Sequence, residues 1–226
     1  MSNRNKILSQ IKSALKNKSN EEEKIYSISE LNDRISETLP KSKTELVEQF
    51  KQELLKVNAD FFYLNNISEA QEKISEILSE NKINHIASTN QRICESIQES
   101  IEAVYTDVKF TIANDLKPQE RKEKISKINT AIVYADFAVS EIGSLVFLYD
   151  NSKTSYPHFL CDYVIAIVNS KNIFPNQFTL FENIDTEQSK NMVFVTGPSR
   201  TADIEKVLVL GAHGPRKLTV IAIENE

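Results

Sequence analysis

The stretch DFFYLNNISEAQEKISEILSENKINHIASTNQRICESIQESI, residues 60–101, sets the architecture. Residues 60–64 are apolar and aromatic, as a half-buried strand requires. Ala70, Ile74, Ile77 and Leu78 then recur at helical spacing, with Ser68 and Gln71 placed as a capping pair. A short strand at 84–88 and a third apolar stripe of Ile93, Ile97 and Ile101 repeat the pattern. Upstream, Ser42 and Glu45 form a capping box for a helix over 42–57 whose face carries Leu46, Val47, Phe50, Leu54 and Val57. Strands alternating with amphipathic helices imply a parallel sheet covered on both faces.

Working outward, AIVYA (131–135), SLVFLY (144–149), YVIAIV (163–168), MVFVT (192–196) and LTVIAI (218–223) are apolar at odd and even positions alike. Such runs fit strands buried on both sides, so the expectation is an α/β three-layer sandwich with a mostly parallel sheet. A basic segment precedes this body. Residues 1–20 hold Arg4, Lys6, Lys12, Lys16 and Lys18 and no acid, so they carry +5 within a chain of net charge −5. Ile7, Leu8, Ile11 and Leu15 give that segment one apolar face. The division expected is a helical arm and polar linker over 1–30 and an α/β domain over 31–226. The arm suits packing on a neighbour or on a second copy of the chain, with a membrane surface as the alternative.

Composition excludes several classes. Of 226 residues, 40% are hydrophobic and 26% charged, near the globular average and far from a disordered or collagenous chain. No apolar run reaches the length of a transmembrane segment, and the acidic body with scattered arginines disfavours nucleic acid. Two cysteines, Cys94 and Cys161, fall short of the four thiolates of an iron–sulfur cluster and suit a reduced, cytoplasmic chain. Three dispersed histidines, His85, His158 and His213, lack zinc spacing, so no metal or cofactor is expected on this chain itself. Four glycines, where an average composition of about 7% would give about 16, leave no GxGxxG or Walker A loop.

All four glycines fall in SEIGS (140–144), TGPSR (196–200) and GAHGPR (211–216). Because ligands in open α/β sheets bind beyond the carboxyl ends of strands, these loops are the expected site. In MVFVTGPSRTADIEKVLVLG, Ile204, Val207, Leu208 and Gly211 share a helical face, which predicts a buried helix after the loop. Gly197, Ser199, Arg200, Thr201 and Asp203 would then surround a helix start suited to a small anion, or simply cap it. Asp136 and Glu141 are carboxylates in a short apolar turn with Gly143. Burial raises such a group's pKa and fits it to act as base or nucleophile, unless backbone N–H groups stabilise the anion. His213 has the chemistry of a general base or anion ligand, and equally that of a loop histidine bonded to the backbone.

The segments AIVYADFAVSEIGSLVF and VTGPSRTADIEKVLVLGAHGPRKLTVIAI resemble the LUD domain family over about residues 40–226. The resemblance implies a fold like the ribose-phosphate isomerase and CoA-transferase group. It also implies a bacterial protein that acts with iron–sulfur partner subunits in oxidising L-lactate to pyruvate, as a component of an L-lactate dehydrogenase complex. The family's acid, glycine and hydroxyl turn maps onto Glu141, Gly143 and Ser144, with Ile142 where threonine is common. Its GPSRTAD loop maps onto Gly197 to Asp203, and its HGPR loop onto His213, Gly214, Pro215 and Arg216. Two other readings stay open: a non-catalytic assembly module, and a stand-alone CoA-transferase-like or sugar-phosphate isomerase-like enzyme using Glu141.

Overall fold

A computed structural model describes residues 7–8, 39–40, 42–149, 153–184, 191–202, 208–210 and 214–225. The chain divides into two compact units, Met1–Leu39 and Pro40–Glu226. Of the arm and linker expected over 1–30, Ile7 and Leu8 are described and are helical, and the rest lies outside the described residues.

The second unit begins with α1 (Lys43–Lys56), held at its start by Ser42, whose Oγ accepts the Glu45 backbone N–H at 3.2 Å. Its face of Val47, Phe50 and Leu54 is buried. Then follow β1 (Asp60–Asn66), α2 (Ile67–Glu80), β2 (His85–Ser88), α3 (Arg92–Val104), β3 (Lys109–Ile112), α4 (Pro118–Ile125) and β4 (Thr130–Tyr134). The cap of α2 is Asn66 rather than Ser68, with Asn66 Oδ1 accepting the Glu69 N–H at 3.0 Å. Gln71 instead donates to the Ser96 carbonyl at 3.1 Å, tying α2 to α3. Both side chains have capping chemistry, and the strand's end decided which was used.

The second half contains β5 (Phe137–Val139), β6 (Ser144–Tyr149), α5 (Tyr156–Leu160), β7 (Tyr163–Asn169), β8 (Ile173–Phe174), α6 (Gln177–Asn183), β9 (Asn191–Val195), β10 (Arg200–Ala202), β11 (Leu208–Leu210) and β12 (Lys217–Asn225). Six strands form one wholly parallel sheet in the order β1-β12-β7-β4-β2-β3. Its two faces alternate residue by residue. Ala131, Val133, Val164, Ala166, Leu218 and Val220 pack with Phe50, Leu54 and Ile125 on one side. Ile132, Ile165, Ile167, Ile221 and Ile223 pack with Ile74, Ile97 and Ile101 on the other. Each fully buried isoleucine contributes roughly 1.5 to 3 kcal/mol, so α2 and α3 are held by the sheet rather than by their own propensity.

Two expectations are corrected. SLVFLY and MVFVT do not join the parallel sheet; they are β6 and β9 of a separate four-stranded sheet, order β8-β5-β6-β9, in which β6 pairs antiparallel with β5 and with β9. Leu145 and Phe147 of this sheet pack into the core on the α1 side, so its strands are apolar for the same reason as the central ones. The helix expected over 204–211 is also absent among the described residues. Arg200–Ala202 pair antiparallel with Leu208–Leu210, Arg200 opposite Leu210 and Ala202 opposite Leu208. Leu208, Val209 and Leu210 are three consecutive apolar residues, a run that fits a strand as well as a helix.

Candidate functional site

After β2 the chain moves outward to β3, whereas after β4 it moves the opposite way to β7 and then β12. The connections diverge between β2 and β4, and such a switch point opens a crevice beyond the carboxyl ends of the strands. Thr89, Asn90 and Gln91 follow β2 at this place, and Ala135 and Asp136 follow β4. Ser88 Oγ donates to the Ile132 carbonyl at 2.9 Å and locks the two strands together just below it.

A cleft of about 590 Å³ opens here, within the size range of small-molecule sites. Ile67 and Ile93 give it apolar flanks, and Gln91, Ser96 and Tyr134 add polar atoms. Arg92, the first residue of α3, and Lys153 are its charged lining, with no carboxylate among the described lining residues. Arg92 and Lys153 make the cleft a candidate site for an anion, with the Lys153 charge already paired to Asp136. Thr89 Oγ1 donates to Gln91 Oε1 at 3.0 Å and fixes that carboxamide at its mouth.

Behind the cleft lies a small polar void that shares Gln91, Tyr134 and Lys153 with it and is also bounded by Asn114, Asp136, Tyr149 and His158. Asp136 Oδ2 accepts the Leu148 backbone N–H at 2.8 Å, and its Oδ1 pairs with Lys153 Nζ at 2.7 Å. The Tyr149 hydroxyl meets His158 Nδ1 at 2.6 Å. His158 is 2% exposed, and its ring stacks on Phe147 with centroids 4.7 Å apart. Burial pushes its pKa down to about 3, so the imidazole is neutral at physiological pH. Burial, with Asp136 adding to it, also pushes the Tyr149 phenol well above its ordinary range, so that group stays protonated.

The residues singled out by sequence lie elsewhere. Glu141 is exposed in the β5–β6 turn, where its backbone N–H donates to the Pro175 carbonyl at 3.0 Å; the expected apolar burial of this carboxylate is not found. Gly143 has φ +59°, and a Cβ there would stand 2.7 Å from Glu53 Cβ of α1. Gly197, at φ +80°, would likewise meet Val57 Cγ2 at 2.5 Å. Both glycines thus let chain pass close against α1 and the residue that caps it. Ser144 is buried, its hydroxyl bonded to that of Thr196.

Gly197, Ser199 and Gly214 do come together, around a smaller pocket of about 190 Å³ with Thr196, Phe159 and His158. The Ser199 N–H donates to the Pro215 carbonyl at 2.8 Å and joins the two loops. The Gly214–Arg216 loop, however, leads into β12 and is tied to Asp162 just before β7, so it sits at the amino edge of the parallel sheet, not the expected carboxyl edge. Arg216 pairs with Asp162 at 3.5 Å and both side chains are more than half exposed. Arg200 and Thr201 lie in β10, in extended backbone and not at a helix start, so the macrodipole argument does not apply to them. Asp203 and His213 lie outside the described residues.

Sequence reasoning missed Arg92, Gln91, Tyr134 and Lys153. The strand, short polar loop and helix at 85–104 were legible and carried the signal for the first two. Lys153 had none, since it reaches the cleft from a loop distant in sequence.

A parallel α/β sheet with a candidate anion cleft at its switch point is the class of protein these features define. The LUD domain matches residues 47–223, and the chain belongs to that family. It is 30% identical over 109 residues to lactate utilization protein C of Halalkalibacterium halodurans, covering 46% of this chain and 47% of that protein. It is 35% identical over 101 residues to the protein of the same name from Geobacillus sp. strain WCH70, covering 42% of each. For that of Macrococcus caseolyticus the figures are 32% over 121 residues, 51% of this chain and 52% of the relative. The matches thus span about half the length of these curated relatives. A solved DUF162 family protein from Deinococcus radiodurans shares the fold, with TM-score 0.59 and 18% identity over 81% of this chain and 99% of that one. Among the described residues no helix is long and apolar enough to cross a membrane, and no three His, Cys, Asp or Glu gather as a metal would need.

Proposed function

We propose that this chain is the LUD subunit of a bacterial L-lactate utilisation system and binds a small carboxylate in the cleft at the carboxyl edge of the sheet. The observation that carries the ligand is the pairing of Arg92 and Lys153 in a cleft whose described lining holds no acid. The relatives named lactate utilization protein C carry the pathway. In this reading Arg92 receives the carboxylate through its planar fork, Lys153 adds a second cation, and Ile67 and Ile93 enclose the apolar end of the acid. The reaction served is oxidation of L-lactate to pyruvate, with the electrons taken by iron–sulfur clusters of partner subunits in the cytoplasm. Two cysteines on this chain fit that division of labour, because they fall short of a cluster's four thiolates.

The test is growth on L-lactate of a strain lacking the chromosomal copy, complemented by variants. Arg92→Ala and Lys153→Ala should fail to restore growth while Glu141→Gln restores it. Calorimetry on the purified chain should show pyruvate binding that Arg92→Ala weakens. Restoration by Arg92→Ala together with failure of Glu141→Gln would move the site to the β5–β6 turn and favour the transferase-like alternative.

A further inference from the structure

We propose that Asp136 is a positioning residue that holds the Lys153 ammonium over the cleft; this rests on the carboxylate-binding reading above. Asp136 follows directly on the carboxyl end of β4 at the switch point, and its position is fixed from several sides. Its main-chain carbonyl accepts from Asn172 Nδ2 at 3.0 Å, and Oδ2 accepts the Leu148 N–H of β6 at 2.8 Å. Its other oxygen, Oδ1, stands 2.7 Å from Lys153 Nζ and gives the ammonium an anchored partner. The carboxylate is 17% exposed, whereas Lys153 is 33% exposed, so the anchor is inside and the cation is at the rim.

The asymmetry matters because a lysine is a point charge on a flexible four-carbon stem. Without a fixed partner it exchanges among rotamers, and its charge is not at a defined place when an anion arrives. A short charge-assisted bond to an anchored carboxylate removes that freedom before the ligand binds. Lys153 borders both the cleft and the polar void, and Asp136 borders the void alone, so the carboxylate stands behind the cation and not beside the ligand. The Tyr149 and His158 side chains, which bound the same void, are hydrogen-bonded to each other at 2.6 Å.

The substitution Asp136→Asn separates positioning from folding. An asparagine carbonyl oxygen still accepts the Leu148 N–H, but its amide then turns a donor toward a donor at Lys153. The purified full chain is treated with an amine-acetylating reagent, and modification of Lys153 is followed by peptide mass spectrometry. Asp136→Asn should raise the Lys153 rate several-fold with urea unfolding little changed, and Asp136→Glu should recover most of the protection. With pyruvate as probe, Asp136→Asn should weaken binding about tenfold, the loss expected when one charge-assisted contact is withdrawn. Lys153→Met should weaken it to a similar degree, and the double variant no further than Lys153→Met alone. An unchanged acetylation rate in Asp136→Asn, or additive losses in the double variant, overturns the positioning role. Absence of pyruvate binding by the unaltered chain overturns the ligand reading instead, and the acetylation result then still decides whether Asp136 orders Lys153.

Discussion

At the carboxyl edge of the six-stranded sheet, an open cleft of about 590 Å³ is lined by Arg92, Lys153 and Tyr134. At the amino edge, the Gly197–Ser199 and Gly214–Arg216 loops are tied to each other and to Asp162 around a pocket of about 190 Å³. The amino-edge loops contain the more distinctive sequence, yet the carboxyl edge has the larger cleft and its two lining cations. The difference is physical. Gly143 and Gly197 are demanded by close approach to α1 and its cap, a packing requirement that leaves a conspicuous signature in sequence. A cation at a cleft mouth needs only a long side chain arriving from the right direction, and leaves almost none.

The largest expected effect is on stability. Gly143→Ala or Gly197→Ala should each cost about 2 to 5 kcal/mol in urea unfolding, combining a left-handed backbone with overpacking against Glu53 or Val57. A loss below about 1 kcal/mol would mean that these glycines serve something other than packing.

His158, which borders the void behind the cleft and the amino-edge pocket alike, gives the next effect. Its folded pKa of about 3 lies below the unfolded value of about 6.5, so below pH 6.5 the unfolded chain takes up a proton that the folded chain refuses. Stability due to this group is complete above pH 6.5 and falls by up to about 1.4 kcal/mol per pH unit as pH drops toward 3. Unfolding followed from pH 7 to pH 4 should show that slope, and His158→Phe should flatten it. An unchanged slope would place the imidazole in water and dissolve the partition between the two cavities.

Ligand affinity sharpens the contrast further. Arg92→Ala should weaken pyruvate binding about tenfold, or about 1.4 kcal/mol, and Ser199→Ala less than about twofold. The reverse order would make the amino edge the ligand edge. The smallest effect concerns Arg216. Its pair with Asp162 is long and exposed, so Arg216→Ala should change stability by less than about 0.5 kcal/mol and leave pyruvate affinity unaltered. A clear loss of affinity would restore this arginine as a ligand residue.

Much of the architecture was readable because burial imposes periodicity. The faces of α1, α2 and α3 follow from Phe50, Ile74 and Ile97 and their neighbours at helical spacing, and the capping role of Ser42 follows from its distance to Glu45. Cys94 and Cys161 sit among apolar residues in the sequence and are buried, which drives the Cys94 thiol up and the Cys161 thiol up to about 12. The assignment of β6 and β9 was not readable, since a strand buried on both sides looks the same in a parallel sheet and in a second sheet packed upon it. The β10–β11 hairpin was missed for a related reason, because a short apolar run has no period to read.

For the candidate site the boundary falls in the same place. Sequence alone determined that the chain alternates strand and helix and that its core is aliphatic. Those properties depend on residue type and near neighbours. Tertiary structure alone decided that β2 and β4 lie side by side with diverging connections, and that Lys153 reaches the cleft opened by Arg92 while held by Asp136. Strand order and the convergence of distant loops are set by the packing of the whole sheet, and no local spacing encodes them.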